Sequence, residues 1–380
     1  MLATHPIQYQ APLYRELTER GRVQLEVAFL SHRTARYRDT GFGLDISWDI
    51  DLLDGYRHRF LGAAEDGRLA DARRARRLLS WLRRQDVVVV HGHAHPWMLT
   101  AAAAARALGR PYLLRGDSQP GTSARGWRAA ARNLLAGVTV RGSAGGLAIG
   151  EDNEAFYRRF GAPRLFFAPY SVDNDRFAAA AAAARPSRAQ RLAELGLPTD
   201  RPVVVFSGKL RDLKRPLDLV AAVRALDGAV ALLIIGDGAL RDEVERACSG
   251  LPAVCVGFVN QSAIPAYYAL GDVFVLPSDT ERWGLAVNEA MACGLLPVVS
   301  DSVGCGPDLV RGLGRIFRTG DVDDLVANLR LAVADLADPG LAARISERLA
   351  RYSLAATARG YEDAAITAVR ESSRRRPGAD

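Results

Sequence analysis

Lysine is almost absent from this chain. Of 50 Lys plus Arg only two are lysine, Lys209 and Lys214, and both fall in one short loop, Ser207-Gly208-Lys209-Leu210-Arg211-Asp212-Leu213-Lys214, directly after an apolar run. The other 48 basic residues are arginine, as a GC-rich coding bias would write them. Lysine is a compact ammonium on a flexible stem and arginine a wide planar fork, so the two are not interchangeable. A strand, a glycine and two ammonium groups ahead of a helix are what a phosphate site requires. Coincidence in an exposed loop is the bland alternative.

A second candidate is the run Leu276-Pro277-Ser278-Asp279-Thr280-Glu281-Arg282-Trp283-Gly284-Leu285-Ala286-Val287-Asn288-Glu289-Ala290-Met291-Ala292, which again follows an apolar strand. Gly284 and Leu285 open a helix, which leaves Glu281 in the preceding loop and puts Glu289 within the helix. Carboxylates near a helix N-terminus are favoured by its dipole. Ionised, they accept hydrogen bonds only, which suits sugar hydroxyls. The bland alternative is a capped amphipathic helix with Glu289 facing solvent.

Glu281 and Glu289, set in Pro-Ser…Glu…Trp-Gly-Leu…Glu-Ala-Met-Ala…Gly, resemble the signature of glycosyltransferase family 4. Four other stretches extend the likeness. Gly208 with Lys209 and Lys214 resembles the family's donor-phosphate loop, and Gly236-Asp237-Gly238 its Gly-Asp-Gly turn. Gly257-Phe258-Val259 resembles its nucleobase segment, and Pro169-Tyr170-Ser171-Val172-Asp173 its interdomain stretch. The resemblance implies a GT-B fold and a retaining, metal-independent transfer from a UDP- or GDP-sugar, with no cofactor. Lys209 and Lys214 would hold the diphosphate and stabilise it as it leaves. Glu289 would bind the ribose, Glu281 the transferred sugar, and main-chain groups near Phe258 and Val259 the base. The acceptor would be a glycan, a lipid-linked sugar or a small natural product. The chain departs from the family after its first strand, where His5-Pro6-Ile7-Gln8-Tyr9-Gln10-Ala11-Pro12 holds no glycine. The close backbone approach that glycine allows is missing there. His5, Gln8 or Tyr9 would serve instead.

Three of the six histidines stand at His91-Gly92-His93-Ala94-His95, at the end of another strand. Alternation puts them on one face, at a spacing that could bind zinc in a hydrolase. Such sites need further ligands from later strands, and no histidine follows His95. The family's His-x-His pattern singles out His93, which would touch the donor sugar. Asp117, after Arg115-Gly116, is a candidate for acceptor binding. Asp49-Ile50-Asp51 and Asp321-Val322-Asp323 match a divalent-metal triplet, although the second reads as a helix N-cap; no metal is expected. Gly236-Asp237-Gly238-Ala239-Leu240-Arg241 is an incomplete dinucleotide fingerprint, which argues against an NAD enzyme. A nucleotide-sugar epimerase on the same fold is the nearest rival.

The elements that position these residues alternate short β-branched runs with longer amphipathic stretches, the pattern of βα units and parallel sheets. Strands are expected at 2–4, 23–30, 87–91, 112–114, 147–149, 203–207, 231–235, 253–256, 273–276 and 296–299. The first is so short that either the fold tolerates a stub or the natural start lies upstream. The expected fold class is α/β, two tandem doubly wound, Rossmann-like domains whose strand ends face a cleft. An acceptor domain spans 1–175, a linker 176–200 (marked by an alanine run and Arg185-Pro186-Ser187), and a nucleotide-sugar domain 201–353. A helix over 354–371 crosses back to the first domain, and 372–380 form a disordered tail.

The 380 residues suit two domains, and 49% hydrophobic with 24% charged residues is the balance of a soluble enzyme. No apolar run approaches a membrane span, and the N-terminus lacks a signal peptide's regions, so a cytoplasmic protein is expected. The four cysteines form no C-x-x-C pair. A net charge of +7 points to anionic partners, but no zinc-finger, RNP or basic-aromatic stripe argues for nucleic acid. Two basic stretches are candidates for contact with anionic lipid at the cytoplasmic face: Arg73, Arg74, Arg76, Arg77, Arg83 and Arg84 on a helix over 69–84, and Arg125, Arg128 and Arg132 beside Trp127. A solvated arginine-rich face is the bland reading of both.

Overall fold

Runs such as Val203-Val204-Val205-Phe206 show no polar alternation, so both faces of such a strand must be covered; that is the condition of a parallel sheet between helix layers. The computed structural model describes residues 1–31, 37–39, 44–62, 72–92, 95–119 and 126–374. In chain order the strands are β1 (Leu2–Ala3), β2 (Val27–Phe29), a hairpin of β3 (Tyr37–Asp39) and β4 (Leu44–Ile46), β5 (His58–Phe60), β6 (Val88–His91), β7 (Tyr112–Arg115), β8 (Gly145–Ala148) and β9 (Leu165–Phe167). They continue as β10 (Val203–Ser207), β11 (Ala231–Ile235), β12 (Ala253–Cys255), β13 (Val273–Leu276), β14 (Leu296–Ser300) and β15 (Arg315–Phe317).

The chain divides into two compact units. One comprises Met1–Thr34, Asp51–Tyr170 and Leu354–Asp380; the other comprises Ala35–Ile50 and Ser171–Ser353. The first holds a seven-stranded sheet in the order β5-β2-β1-β6-β7-β8-β9, the second a six-stranded sheet in the order β12-β11-β10-β13-β14-β15. All pairings in both are parallel. Both are doubly wound, and the strand order reverses between β1 and β6 in the first and between β10 and β13 in the second.

In the first unit Val88 and Val90 face one layer with Trp81, Trp97 and Met98. Val89 faces the other, with Leu13, Leu17, Ala358 and Tyr361. Helix Leu354–Arg374 belongs to this unit and runs through Ser372 and Ser373, which were expected in the tail; residues 375–380 lie outside the described set. Its fully buried Glu362 accepts from Arg20 Nε at 2.9 Å and Arg22 Nη1 at 2.9 Å. A buried carboxylate is tolerable only when so paired.

The expected linker 176–200 is helical over Asn174–Ala184 and Arg188–Glu194. Seven consecutive alanines, residues 178–184, are the best helix formers available. The helix also buries Phe177, at 6.5 Å from the Tyr268 ring. Sequence periodicity missed the hairpin of β3 and β4 and the edge strands β5, β9 and β15: His58-Arg59-Phe60 and Arg315-Ile316-Phe317 carry no continuous apolar signal, and Leu165-Phe166-Phe167 is apolar but only three residues long. The opening stub β1 holds as two buried residues between β2 and β6.

One turn is sterically unforgiving. Gly236 has φ +140°, and a Cβ there would lie 1.8 Å from the Gly208 carbonyl oxygen. We expect Gly236→Ala to destabilise the second unit by about 3 kcal/mol or more, since overpacking and a disallowed φ add. Denaturant unfolding checks this, and a loss below about 1 kcal/mol would contradict the steric argument.

Candidate functional site

Ligands of doubly wound sheets sit at the strand carboxyl ends where the order reverses. In the second unit the two strands at that point are β10 and β13, paired through Val204 with Val273 and Val205 with Phe274. The lysine loop follows β10, and the glutamate segment follows β13. Their proximity is therefore a consequence of topology.

The two segments are tied together. The Asp279 amide donates to the Leu213 carbonyl at 2.9 Å, and Lys214 Nζ makes an ion pair with the Glu281 carboxylate. Lys214 ends a short 3-10 turn, Asp212–Lys214. The following Arg215 takes a left-handed φ of +47°, held by Asp218 at 2.7 Å and Asp279 at 3.3 Å. Glu281 is anchored through its main chain: its amide donates to Ser302 at 3.3 Å, and its carbonyl accepts from Gly304 at 2.9 Å. Buried Trp283 locks the loop, donating through Nε1 to Asn288 Oδ1 at 2.9 Å. Gly284, at φ +101°, starts the helix that opens at Leu285, because a Cβ there would press on Leu276 and Val303.

Glu289 lies in that helix, one turn before its end at Ala292. Its carboxylate accepts from Tyr268 Oη at 3.0 Å and, at a long 3.4 Å, from Gln261 Nε2. Gln261 is oriented in turn by Arg176, which donates to its carbonyl at 3.0 Å and to its Oε1 at 3.2 Å. Burial dominates and raises the Glu289 carboxyl to about 6, although Gln261, Tyr268 and Arg176 pull the other way. Arg176, inside the segment taken from the sequence as a linker, was missed because nothing in an alanine run signals a partner for a carboxylate.

The lysine loop rests on the Gly-Asp-Gly turn. Gly208 donates to Ile235 at 3.0 Å, and Leu210 to Asp237 at 2.8 Å. Gly236 donates to Gly257 at 2.8 Å, next to Phe258 and Val259. A Cβ at Gly208 itself would meet only the Phe206 ring, at 3.5 Å, so the fold does not demand glycine at that position. Half-buried Phe258 has its ring 6.3 Å from that of Trp48. Trp48 is carried in by a strand of chain that docks through Asn260 Nδ2 on the Ser47 carbonyl, at 2.7 Å, and through Ser262 on Asp49. Nothing in the sequence predicted this neighbour. Asp49 and Asp51 are occupied with hydrogen bonds to protein groups, and Asp321 caps its helix by accepting from the Asp324 amide at 2.9 Å.

In the first unit the order reverses between β1 and β6; the candidates His5, Gln8 and Tyr9 follow the one, while His91 ends the other and His95 follows it. His93 lies outside the described residues. His5 Nδ1 is 3.0 Å from Thr4 Oγ1. Gln8 is half-buried. Both described histidines of the His-x-His-x-His run have structural partners. Tyr14 donates to Gln10 Oε1 at 2.8 Å, so the Gln10 amide donates to His91 Nδ1 at 3.2 Å, and the His91 Nε2 proton faces Tyr361 Oη at 3.3 Å. Burial, reinforced by the nearby Arg115, pushes His91 down to about 3, leaving it neutral. His95 Nδ1 caps helix Pro96–Ala107 by accepting from the Trp97 amide at 3.2 Å. Among the described residues no group of three His, Cys, Asp or Glu is placed to hold a metal ion. Buried Arg115 donates to the Ala168 and Pro169 carbonyls and lies 4.7 Å from the Tyr170 ring and 5.2 Å from that of Tyr361. Burial raises Tyr9 to about 12, and the negative charge of Asp117 adds to this. The Tyr9 and Tyr170 rings stand 5.9 Å apart.

For Glu289 the pH consequence is definite. With a carboxyl raised from about 4.5 to about 6, the folded chain holds this proton more tightly than the unfolded chain does. Stability from this group is present at low pH and is lost as pH rises through that window, by roughly 2 kcal/mol. Glu289→Gln should therefore raise unfolding stability at pH 8 by up to about 2 kcal/mol and leave it unchanged below the ordinary carboxylate range. Denaturant curves at the two pH extremes test this; an equal effect at both would mean that Glu289 is not desolvated.

Comparison with known proteins bears on the family and the fold. Residues 187–351 match the family model described as glycosyl transferases group 1. The chain is 32% identical over 249 residues to D-inositol 3-phosphate glycosyltransferase of Xylanimonas cellulosilytica, covering 60% of this chain and 56% of that protein. It is 36% identical over 141 residues to sulfoquinovosyl transferase SQD2 of Arabidopsis thaliana, covering 36% of this chain and 27% of that protein. The chain thus spans between about a quarter and just over half of the length of these curated relatives. The solved structure of Anabaena HepE in complex with UDP and glucose superposes with a TM-score of 0.67 at 14% identity, over 95% of this chain and 97% of that one. The fold is that of the GT-B glycosyltransferases, and the matched family segment contains both the lysine loop and the glutamate helix.

Proposed function

We propose that the chain transfers a sugar from a UDP- or GDP-sugar to a glycan, a lipid-linked sugar or a small natural product, with retention at the anomeric carbon, as a member of glycosyltransferase family 4. The observation that carries this is the clamp between the lysine loop and the glutamate segment, in which Lys214, one of only two lysines in an arginine-rich chain, pairs with the Glu281 carboxylate at the point where the sheet order reverses. The named relatives transfer sugars, and the HepE complex holds UDP and glucose.

In this reading Gly208 is glycine because a diphosphate approaches its backbone, the fold itself leaving room for a side chain. Lys209 and Lys214 neutralise that diphosphate as the bond between the sugar's anomeric carbon and the phosphate oxygen breaks. The acceptor oxygen bonds to the same face of that carbon, and its proton passes to a departing phosphate oxygen, so no protein nucleophile is needed. The two ammonium groups supply the positive charge that a divalent cation supplies in other transferases. Glu281 orients the transferred sugar and holds Lys214 in place before the donor binds. Glu289 accepts from the ribose hydroxyls and is mostly ionised at neutral pH, since its carboxyl lies near 6. Gly284 and Leu285 present the helix N-terminus to the donor. Phe258 and Val259 read the base, with Trp48 beside the Phe258 ring. His93 touches the donor sugar, and His5, Gln8, Tyr9 and Asp117 belong to the acceptor.

Thermal-shift measurements with UDP, GDP, TDP and ADP should show stabilisation by one of the first two, in proportion to its affinity. Lys214→Ala should lower kcat by roughly a hundredfold or more, the cost of removing one group aimed at developing charge. Gly208→Ala should leave the melting temperature unchanged while abolishing the nucleotide-induced shift. Near-normal turnover in Lys214→Ala, or a full nucleotide shift in Gly208→Ala, would remove the diphosphate from this loop.

A further inference from the structure

Eight large apolar side chains are exposed among the described residues, and half of them lie on one helix, Trp127–Arg141. Trp127 is 76% exposed, Leu134 67%, Val138 60% and Leu135 46%. With exposed Ala131 they recur at helical spacing and form one outward stripe along the full length of the helix. The inward residues are small: Ala129, Ala136, Gly137, Thr139 and Val140 are buried. The helix is thus amphipathic in reverse, packed through its small side chains with its large ones facing out. A contiguous apolar stripe of this kind on a folded surface marks an interaction site.

The charge around the stripe identifies the partner. The helix carries Arg128, Arg132 and Arg141 and no acidic residue. At its end Arg141 lines a cavity of about 600 Å³ together with Arg106, Arg110 and Arg164; Glu371, paired with Arg164, is the one carboxylate in that lining. A second copy of the chain would set arginine against arginine along a twofold contact, with no carboxylate on either helix to answer. Anionic headgroups would answer the exposed Arg132 and Arg141, and an apolar stripe edged by arginine is the build of a helix that lies in a lipid interface. The other basic helix, Ala72–Leu82, differs: its Leu78, Trp81 and Leu82 are buried, as is Arg74, so its exposed residues, Arg73, Arg76 and Arg77 with Ala72 and Ser80, include no large apolar side chain. The sequence placed the two stretches together; the packing separates them.

We propose that helix Trp127–Arg141 docks on an anionic lipid surface, with Trp127, Leu134, Leu135 and Val138 seated at the boundary between headgroups and acyl chains and Arg132 and Arg141 among the phosphates. The inference does not depend on the transferase reading. No helix among the described residues is long and apolar enough to cross a membrane, so the contact is one of docking.

The full chain should float with phosphatidylcholine vesicles that contain phosphatidylglycerol, and should release from them as salt screens the arginines. Trp81, Trp97 and Trp283 are buried and Trp48 half-buried, so a blue shift of emission on vesicle addition reports on Trp127, and Trp127→Ser should remove it. The double substitution Leu134→Ser with Val138→Ser, at exposed positions, should weaken vesicle partition by roughly tenfold or more at an unchanged melting temperature. Arg132→Glu should weaken binding to the anionic vesicles further than Arg132→Gln does. Three results would overturn the proposal: a wild-type chain that stays with the soluble fraction, a double variant that floats as the wild type does, or a wild-type dimer in sedimentation velocity that the double variant dissolves. Equal binding to pure phosphatidylcholine would overturn the anionic assignment.

Discussion

The pairing of β10 with β13 is the constraint on which the second unit's chemistry depends. These strands are neighbours in the sheet but far apart in sequence, and the reversal of strand order between them leaves both of their carboxyl ends without a crossover helix above. Whatever follows β10 must meet whatever follows β13. This chain places its two ammonium groups after the first and the carboxylates of Asp279, Glu281 and Glu289 after the second, so attraction between Lys214 and Glu281 closes the gap that topology opens. The ion pair is about one-fifth exposed on both sides, a setting in which Coulombic attraction is neither swamped by water nor overtaken by desolvation. Its geometric consequence matters more than its energy. The Arg215–Asp279 pair and the bond from the Asp279 amide to Leu213 act on the same two segments, so the loops are held as one body.

Beneath that clamp, backbone sterics do the positioning. Gly236 and Gly238 lie so close to the main chain at Gly208 and Leu210 that a side chain at either would collide with it. The lysine loop is therefore laid directly on the turn after β11, with no side-chain layer between. Phe258 follows Gly257, whose carbonyl accepts from the Gly236 amide. Three successive strand ends are thereby linked by main-chain hydrogen bonds alone, which transmit position with less slack than side-chain contacts do.

The five-residue strands Val203–Ser207 and Ala231–Ile235 were legible because unbroken burial leaves an unbroken apolar run. The lysine loop was legible because two lysines stand out in a chain that otherwise writes arginine, and Gly284 because only a glycine starts a helix at a left-handed φ without strain. Of the three-residue edge strands β12 could be read from its apolar Ala253-Val254-Cys255, whereas β5 and β15 carry charged residues and β9 is too short to stand out. Arg176 and Gln261 were invisible for a different reason. They act on Glu289 from segments 113 and 28 residues away, and no local pattern encodes such a partner. His91 shows the limit of spacing: its two ring nitrogens face Gln10 and Tyr361, a packing role that the run of histidines alone does not distinguish from a ligand's. Spacing reports what could coordinate a ligand; only packing tells which nitrogen is already engaged.

The two units differ in the electrostatics of their reversal points. In the second unit the lysines and Glu281 carry charge, and Glu289, with its carboxyl near 6, is mostly charged at neutral pH. In the first, burial holds His91 and Tyr9 in their neutral forms, at about 3 and about 12. Buried Arg115 is engaged by two carbonyls and two aromatic rings. A surface of neutral hydroxyl, amide and imidazole groups makes ordinary hydrogen bonds to an uncharged ligand but offers little to balance a diphosphate. Charge of the kind the lysines carry suits an anionic ligand, whereas neutral groups such as those of the first unit suit uncharged ones such as sugar hydroxyls.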